Sequence, residues 1–413
     1  MRSSVVASRE ASPSEHWLDV IARRVVHRAL SRLVRGSVTL IEDGARTEFG
    51  DRAAGVATTV RVSSAECYRR VLFGGTIGAG TGYMDGLWST DDLPTLIRVF
   101  AANERALFGL ERGLARLAQP FHRVVHFLRR NTRSGSRRNI SEHYDLGNDF
   151  YQLFLDDTMA YSCAIFERPG ASLREASEAK FERICQKLRL VPEDHLLEIG
   201  TGWGGFAIHA ARRYGCRVTT PTISQEQCSL ARERVVAEGL SDRVEVLLKD
   251  YRDLDGAYDK LVSIEMIEAV SDEYLDGFFA QCSRLLGPQG LMVLQSITIA
   301  DKEFERHRRE VDFIKRYVFP GSCIPSVTVM LQSMTRACDL RLFDLEDISR
   351  HYVMTLQRWR QAFWERIDTV REQGFPERFI RMWDFYLAYC EGGFAERYLG
   401  EVQMVLAKPD WRD

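Results

Sequence analysis

Apolar residues recur at every fourth position from Trp17 through Ile21, Val25 and Ala29 to Leu33, the spacing of one face of an α-helix. Arg23, Arg24, His27, Arg28, Arg32 and Arg35 fill much of the remaining circumference. Segment 15–35 therefore predicts a basic amphipathic helix. Docking of its stripe on a core is the expectation; lying on an anionic bilayer is the alternative. Short β-like runs follow from Ser37 to Ser63, then helical segments to about Leu128. The stretch RRNTRSGSRRNI (129–140) is polar, basic and aperiodic, which suits a linker or a mobile, phosphate-facing loop, and the domain boundary is placed there, with the linker at 129–141. Beyond it the pattern changes. HLLEIG (195–200), RVTTPTIS (217–224), VEVLLKD (244–250), DKLVSIEMI (259–267) and GLMVLQSITI (290–299) are β-rich runs separated by helical stretches. That rhythm predicts an α/β fold with a doubly wound, mostly parallel sheet. FDLEDISR and EVQMVLAK are candidates for further edge strands, and the aromatic-rich segments 302–318 and 353–399 for helical lids over the strand ends. The reading is a smaller, mostly α domain over 1–128 and an α/β domain over 142–413.

Length and composition agree with this picture. A chain of 413 residues, 45% hydrophobic and 28% charged, suits two packed globular domains. No apolar run approaches the roughly 18 residues that span a bilayer, and the N-terminus does not read as a secretory signal. Nine scattered cysteines without a C-x-x-C pair point to reduced thiols in a cytoplasmic protein with no metal site. Charge changes the picture more. Up to Ser141 there are 22 Arg and no Lys against 13 acidic residues, a balance of +9, which leaves −11 for the remainder of a chain of net charge −2. A basic front suggests an anionic partner, a phospholipid surface or nucleic acid. Nucleic acid is disfavoured because no motif for base flipping is visible.

The strongest local signal is LLEIGTGWGGFAIHAA (196–211), where a strand ends and Gly200, Gly202, Gly204 and Gly205 lead into a helix. Such a turn lets a ligand approach the backbone. The spacing E-x-G-x-G-x-G-G differs from the G-x-G-x-x-G of nicotinamide enzymes and favours another nucleoside-type cofactor. Thr222, Ser224 and Gln227 follow the second strand, where ribose hydroxyls bind in this topology. Asp250 ends the third and can accept from an adenine amino group. Glu265 and Glu268 lie at the end of the fourth, Gln295 and Ile297 on the fifth. Ligands of open α/β sheets sit beyond those carboxyl ends.

With these residues in view, the chain resembles the cyclopropane-fatty-acyl-phospholipid synthases and, more distantly, the mycolic acid cyclopropane synthases. The matching text runs through RVLFGGTIGAGTGYMDGLW (70–88), EHYDLGNDFYQLFLDDTMAYSCAIF (142–166), EIGTGWGG, SIEMIEAV, PGSCIPS (320–326), HYVMTLQRW (351–359) and YCEGGF (389–394). The resemblance implies an S-adenosylmethionine-dependent methyltransferase acting on the double bond of an unsaturated phospholipid acyl chain. The enzyme would work peripherally at the inner face of the membrane, with a homodimer as one expected assembly. It implies that Tyr161 and Ser162 hold the methionine carboxylate, and that Gly200 and Gly202 lie under the methionyl and ribose part. Thr222 and Gln227 would bind the ribose, Asp250 and Tyr251 the adenine.

Transfer of a methyl to an isolated C=C leaves a carbocation, which must be shielded from water and then lose a proton for a ring to close. The resemblance implies a bound bicarbonate as the base, held by Cys163, Glu268, the backbone of Ile297, and Tyr352. Cys390 matches a family cysteine for which a structural or pocket-lining role is expected. Two departures stand out. Gln295 occupies a position where histidine is common, and Ala269 follows Glu268 where E-H is common. A glutamine carries no titrating proton, and a weaker base would allow a hydride shift to a methylene- or methyl-branched product. A non-catalytic lipid-binding protein is the remaining alternative.

Overall fold

The structure is a computed structural model that describes residues 16–103 and 146–412. The 129–141 linker, the helical segments expected beyond Asn103, and the first residues of the EHYDLGND motif lie outside the described residues.

The first part is built from α1 (Trp17–Leu30), β1 (Gly36–Glu42), β2 (Ala45–Asp51), β3 (Ala57–Val62), α2 (Glu66–Met84), β4 (Trp88–Thr90) and α3 (Leu93–Ala102). The β-like runs after Ser37 form a four-stranded sheet in the order β2-β1-β3-β4, with β1 and β3 parallel. The apolar stripe of α1 does not pack as expected. Its lower end, Ala29 and Leu33, is buried, but Trp17, Ile21 and Val25 are exposed at 65%, 46% and 39%. The core instead takes Ala22, Val26 and Leu30, a second i, i+4 row one residue further round. Arg23 fixes that rotation through an ion pair with Glu42 at 2.9 Å.

In the second part α4 (Asn148–Gln152), α5 (Leu173–Leu188), β5 (His195–Ile199), α6 (Gly205–Tyr214), β6 (Arg217–Thr222), α7 (Gln225–Ala237), β7 (Val244–Leu248) and β8 (Tyr258–Ile264) lead to α8 (Leu275–Leu285) and β9 (Leu286–Ile299). Then follow α9 (Asp301–His307), α10 (Phe313–Tyr317), α11 (Val327–Ala337), β10 (Arg341–Asp347), α12 (Ser349–Glu365), α13 (Ile367–Glu372), α14 (Glu377–Ala395) and β11 (Leu399–Ala407). The seven-stranded sheet has the order β10-β11-β9-β8-β5-β6-β7. Strands β7 to β9 of that order are parallel, while β11 is antiparallel to both β9 and β10. The expected edge strand at EVQMVLAK is therefore internal, and residues 401–407 are buried throughout; of the two candidates β10 alone lies at an edge.

The two parts pack together through α14. Tyr83 Oη donates to Asp384 Oδ2 at 2.7 Å, and Arg98 pairs with Glu396 at 3.0 Å. Asp384, fully buried, is also held by Arg360 and Trp364. Helix α2 comes so close that a Cβ at Gly80 would sit 2.3 Å from the Phe313 ring. Glycine is required there by contact, not by dihedral.

Candidate active site

A cavity of about 860 Å³ opens over the carboxyl ends of β5, β6 and β8, within the size range of small-molecule sites. One end lies on the glycine turn. Gly200, Gly202 and Gly204 have φ of 101°, 51° and 83°, a region costly for any side chain bearing a Cβ. A Cβ at Gly205 would meet the Thr158 carbonyl at 2.3 Å. The chain can therefore turn tightly and leave backbone facing the cavity.

Tyr161, Ser162, Gly200, Gly202, Thr222, Gln227, Asp250 and Tyr251 all line this cavity. Thr222 Oγ1 donates to Gln227 Oε1 at 2.9 Å, so the glutamine's amide nitrogen is turned away from that bond. Tyr161 and Tyr386 share a hydroxyl contact of 2.7 Å. Asp250 is less open than the sequence suggested, because both of its oxygens accept from the Arg252 guanidinium at 2.9 and 2.6 Å. Lys180 was not foreseen. It is fully buried on α5, donates to Ser162 Oγ at 2.7 Å and lines the cavity. Burial pushes its pKa down. A buried lysine nitrogen beside a serine hydroxyl supplies two donors for the carboxylate of an amino-acid cofactor, so the residues present fit S-adenosylmethionine. Glu198, at the end of β5, also lines the cavity; burial raises its pKa to about 8 against the bond from Thr220.

The other end gathers β8, β9, β11 and α12. Glu268 Oε1 accepts from the Ile297 N–H at 2.6 Å and Ser296 Oγ at 3.0 Å, while its Oε2 is buried without a partner. Burial, reinforced by Glu265, raises its pKa to about 8. Glu268, Ile297, Tyr352 and Cys390 face the cavity; Cys163 and Gln295 lie fully buried behind it. The Cys163 thiol donates to the Ala164 carbonyl at 3.3 Å, and burial holds both this thiol and that of Cys390 protonated. Cys390 is thus a lining residue with a protonated thiol.

The cup expected to hold a bicarbonate does not fit that anion. Its donors are already engaged by a side chain of the protein. The Cys163 backbone N–H and Gln295 Nε2 donate to Glu265 Oε1 at 2.7 and 2.9 Å, and Tyr352 Oη donates to Glu265 Oε2 at 2.5 Å. Cys163 takes part through its backbone rather than its thiol, and the Ile297 N–H serves Glu268. Glu265 was visible only as an acid in SIEMIEAV; nothing in the linear sequence says that it reaches three partners from three elements. Glu401 was missed as well. It lies fully buried on β11, and burial beside Glu265 and Glu268 pushes its carboxyl well up. Among the described residues no cluster suited to a metal ion is present.

Comparison with known proteins gives the same address. Residues 131–404 match the family described as mycolic acid cyclopropane synthetase. A tuberculostearic acid methyltransferase of Mycobacterium tuberculosis is 37% identical over 395 residues, covering 94% of this chain and 91% of its own. A cyclopropane-fatty-acyl-phospholipid synthase of Escherichia coli strain K12 is 37% identical over 355 residues, 84% of this chain and 87% of its own. A solved mycolic acid cyclopropane synthase, complexed with SAH and CTAB, superposes with a TM-score of 0.62 at 31% identity, covering 66% of this chain and 98% of its own.

Proposed function

From the premise that the chain belongs to the mycolic acid cyclopropane synthetase family of S-adenosylmethionine-dependent methyltransferases, we propose that it methylates the double bond of an unsaturated acyl chain in a phospholipid and closes a cyclopropane ring. The observation carrying this reading is the continuity of one cavity. It runs from the glycine turn, past Glu265, Glu268 and Tyr352, to a wall that includes Gly74, Ala79 and Phe100 of the first part.

Ser162 and Lys180 would hold the carboxylate of the cofactor, Gly200 and Gly202 its methionyl and ribose part. Thr222 and Gln227 would take the ribose hydroxyls, and Asp250 with Tyr251 the adenine. When bound, the cofactor supplies an electrophilic methyl on sulfur. The protein's own part is to keep the reacting carbons dry and to stabilise positive charge. Tyr352 packs against Phe394 at 4.4 Å and lies 6.1 Å from Trp359, with Tyr161 5.1 Å from Trp359. Of these rings Tyr161, Tyr352 and Phe394 line the cavity and offer cation–π stabilisation to a carbocation, with Trp359 packed behind them, and Glu265 and Glu268 place acidic groups beside it.

The face of α1 left outside the core supports a membrane partner. Trp17, Ile21 and Val25 are exposed together with Arg24, Arg28 and Arg32, an apolar strip within a basic surface suited to an anionic phospholipid leaflet. Among the described residues no helix is long and apolar enough to cross a membrane; attachment through this face would be peripheral.

A second product is favoured by a specific observation. Gln295 sits fully buried between Gln403 and Glu265 and brings no titrating proton. The similarity to a protein named tuberculostearic acid methyltransferase points the same way, to a methyl- or methylene-branched chain. Incubation with oleoyl-phospholipid vesicles and S-adenosylmethionine, followed by NMR of the fatty acids, separates the readings. Cyclopropyl protons are expected; vinylidene or methyl-branched-alkene signals alone establish the second product, and an unmodified acyl chain overturns both.

A further inference from the structure

Resting on that reading, we propose that Glu265 is the resident base of the reaction, its carboxylate permanently occupying the anion cup that an exchangeable bicarbonate would otherwise fill. Three observations converge on it. The first is the donor set: the Cys163 N–H, Gln295 Nε2 and Tyr352 Oη all end on its two oxygens at 2.5–2.9 Å. A second acid there would face filled donors and a like charge, which costs far more than it gains in a buried site. The second is access. Glu265 lines the cavity beside Glu268 and Tyr352, so the carboxylate is open to a substrate while its back is hydrogen-bonded.

The third is backbone conformation. Glu265 has φ of 49°, a left-handed geometry that is unfavourable for any residue bearing a Cβ. Glycine would satisfy the turn without that cost. A charged side chain held there against its own preference marks a position where the side chain is used. Burial, and after it the neighbouring Glu265, pushes the Glu268 and Glu401 carboxyls up, so both favour their protonated forms beside it.

The chemistry balances without a further reactant. The transferred methyl forms a bond to one alkene carbon and leaves the other cationic, with the sulfur retaining the pair of the broken S–C bond. Glu265 takes a proton from that methyl. The freed C–H pair closes the ring onto the cationic carbon, or forms an exocyclic double bond if a hydride has first shifted. The proton leaves with the product to solvent.

The test uses the full-length protein with oleoyl-phosphatidylglycerol vesicles, S-adenosylmethionine, and buffers either stripped of carbon dioxide or supplemented with bicarbonate. Wild-type turnover is expected to be equal in the two buffers within about twofold. Glu265→Gly, which suits the backbone, should lower turnover by about 100-fold or more, in line with the usual worth of a positioned base, and added bicarbonate should restore part of it. Glu265→Gln should be as slow and should not be rescued. A parallel measurement needs no turnover: broadening of the ¹³C-bicarbonate resonance, expected with Glu265→Gly and absent with wild type. Bicarbonate-dependent turnover or bicarbonate binding by wild type, or full activity of Glu265→Gln, overturns the proposal. Absence of any acyl product with wild type counts against the phospholipid reading alone, since the bicarbonate measurement still decides who fills the cup.

Discussion

At the scale of single residues the site is a problem of where protons sit. Glu268 bonds Ile297 and Ser296 through one oxygen and presents the other, unpartnered, in a buried setting. With its pKa raised to about 8 by burial, it is a neutral acid at pH 7. Glu268→Gln keeps the acceptor and the shape but removes the titrating proton. It is expected to leave the fold and S-adenosylmethionine affinity by calorimetry unchanged while turnover falls about tenfold or more. Turnover equal to wild type would remove Glu268 from the chemistry. Lys180 illustrates what a linear reading misses. A lysine on a helix is ordinarily solvated, and only the packing of α5 under the turn brings it to Ser162. Lys180→Met retains the bulk and removes the charge, so S-adenosylmethionine binding should weaken about tenfold or more.

At the scale of elements, α1 and α2 make opposite use of small and apolar residues. On α1 two apolar rows exist, and burial of Ala22, Val26 and Leu30 leaves Trp17, Ile21 and Val25 outside. Ile21→Glu should therefore leave unfolding within about 0.5 kcal/mol of wild type yet reduce co-sedimentation with anionic vesicles. Raising salt should do the same to the wild type, since each basic residue near such a surface is worth about 1 kcal/mol. Unchanged sedimentation in both arms would release α1 from a membrane role. On α2, Gly80 lets the helix reach the Phe313 and Phe385 rings. Gly80→Ala forces those rings apart and is expected to cost about 1–3 kcal/mol in denaturant unfolding, with a loss of activity because α14 also walls the cavity.

For the molecule as a whole, the buried acids set the dependence of stability on pH. Glu198 and Glu268 both have folded pKa values of about 8, raised from 4.5 chiefly by burial. The native state therefore holds protons that the unfolded chain has released. Their contribution is complete below about pH 4.5 and is lost as pH rises through about 8. The thermal midpoint of the cofactor-free protein is expected to fall between pH 5 and 8, and Glu198→Gln to flatten that slope; a midpoint rising over this interval would contradict the assignment. The linear sequence by itself determined the α/β rhythm, the glycine turn and the lid segments, and it put Gly200, Gly202, Thr222 and Gln227 at the strand ends that line the cavity. Those features are local: period, turn chemistry and the rule that ligands lie at strand ends need only neighbours in the chain. Tertiary structure alone decided which face of α1 is buried, that β11 is inserted between β9 and β10, and that the anion cup is filled from within. Each of these depends on contacts between residues about 20 to 130 positions apart, such as Arg23 with Glu42, Glu265 with Tyr352, or Gln295 with Cys163, and no periodicity or motif records which distant partner a buried side chain will meet.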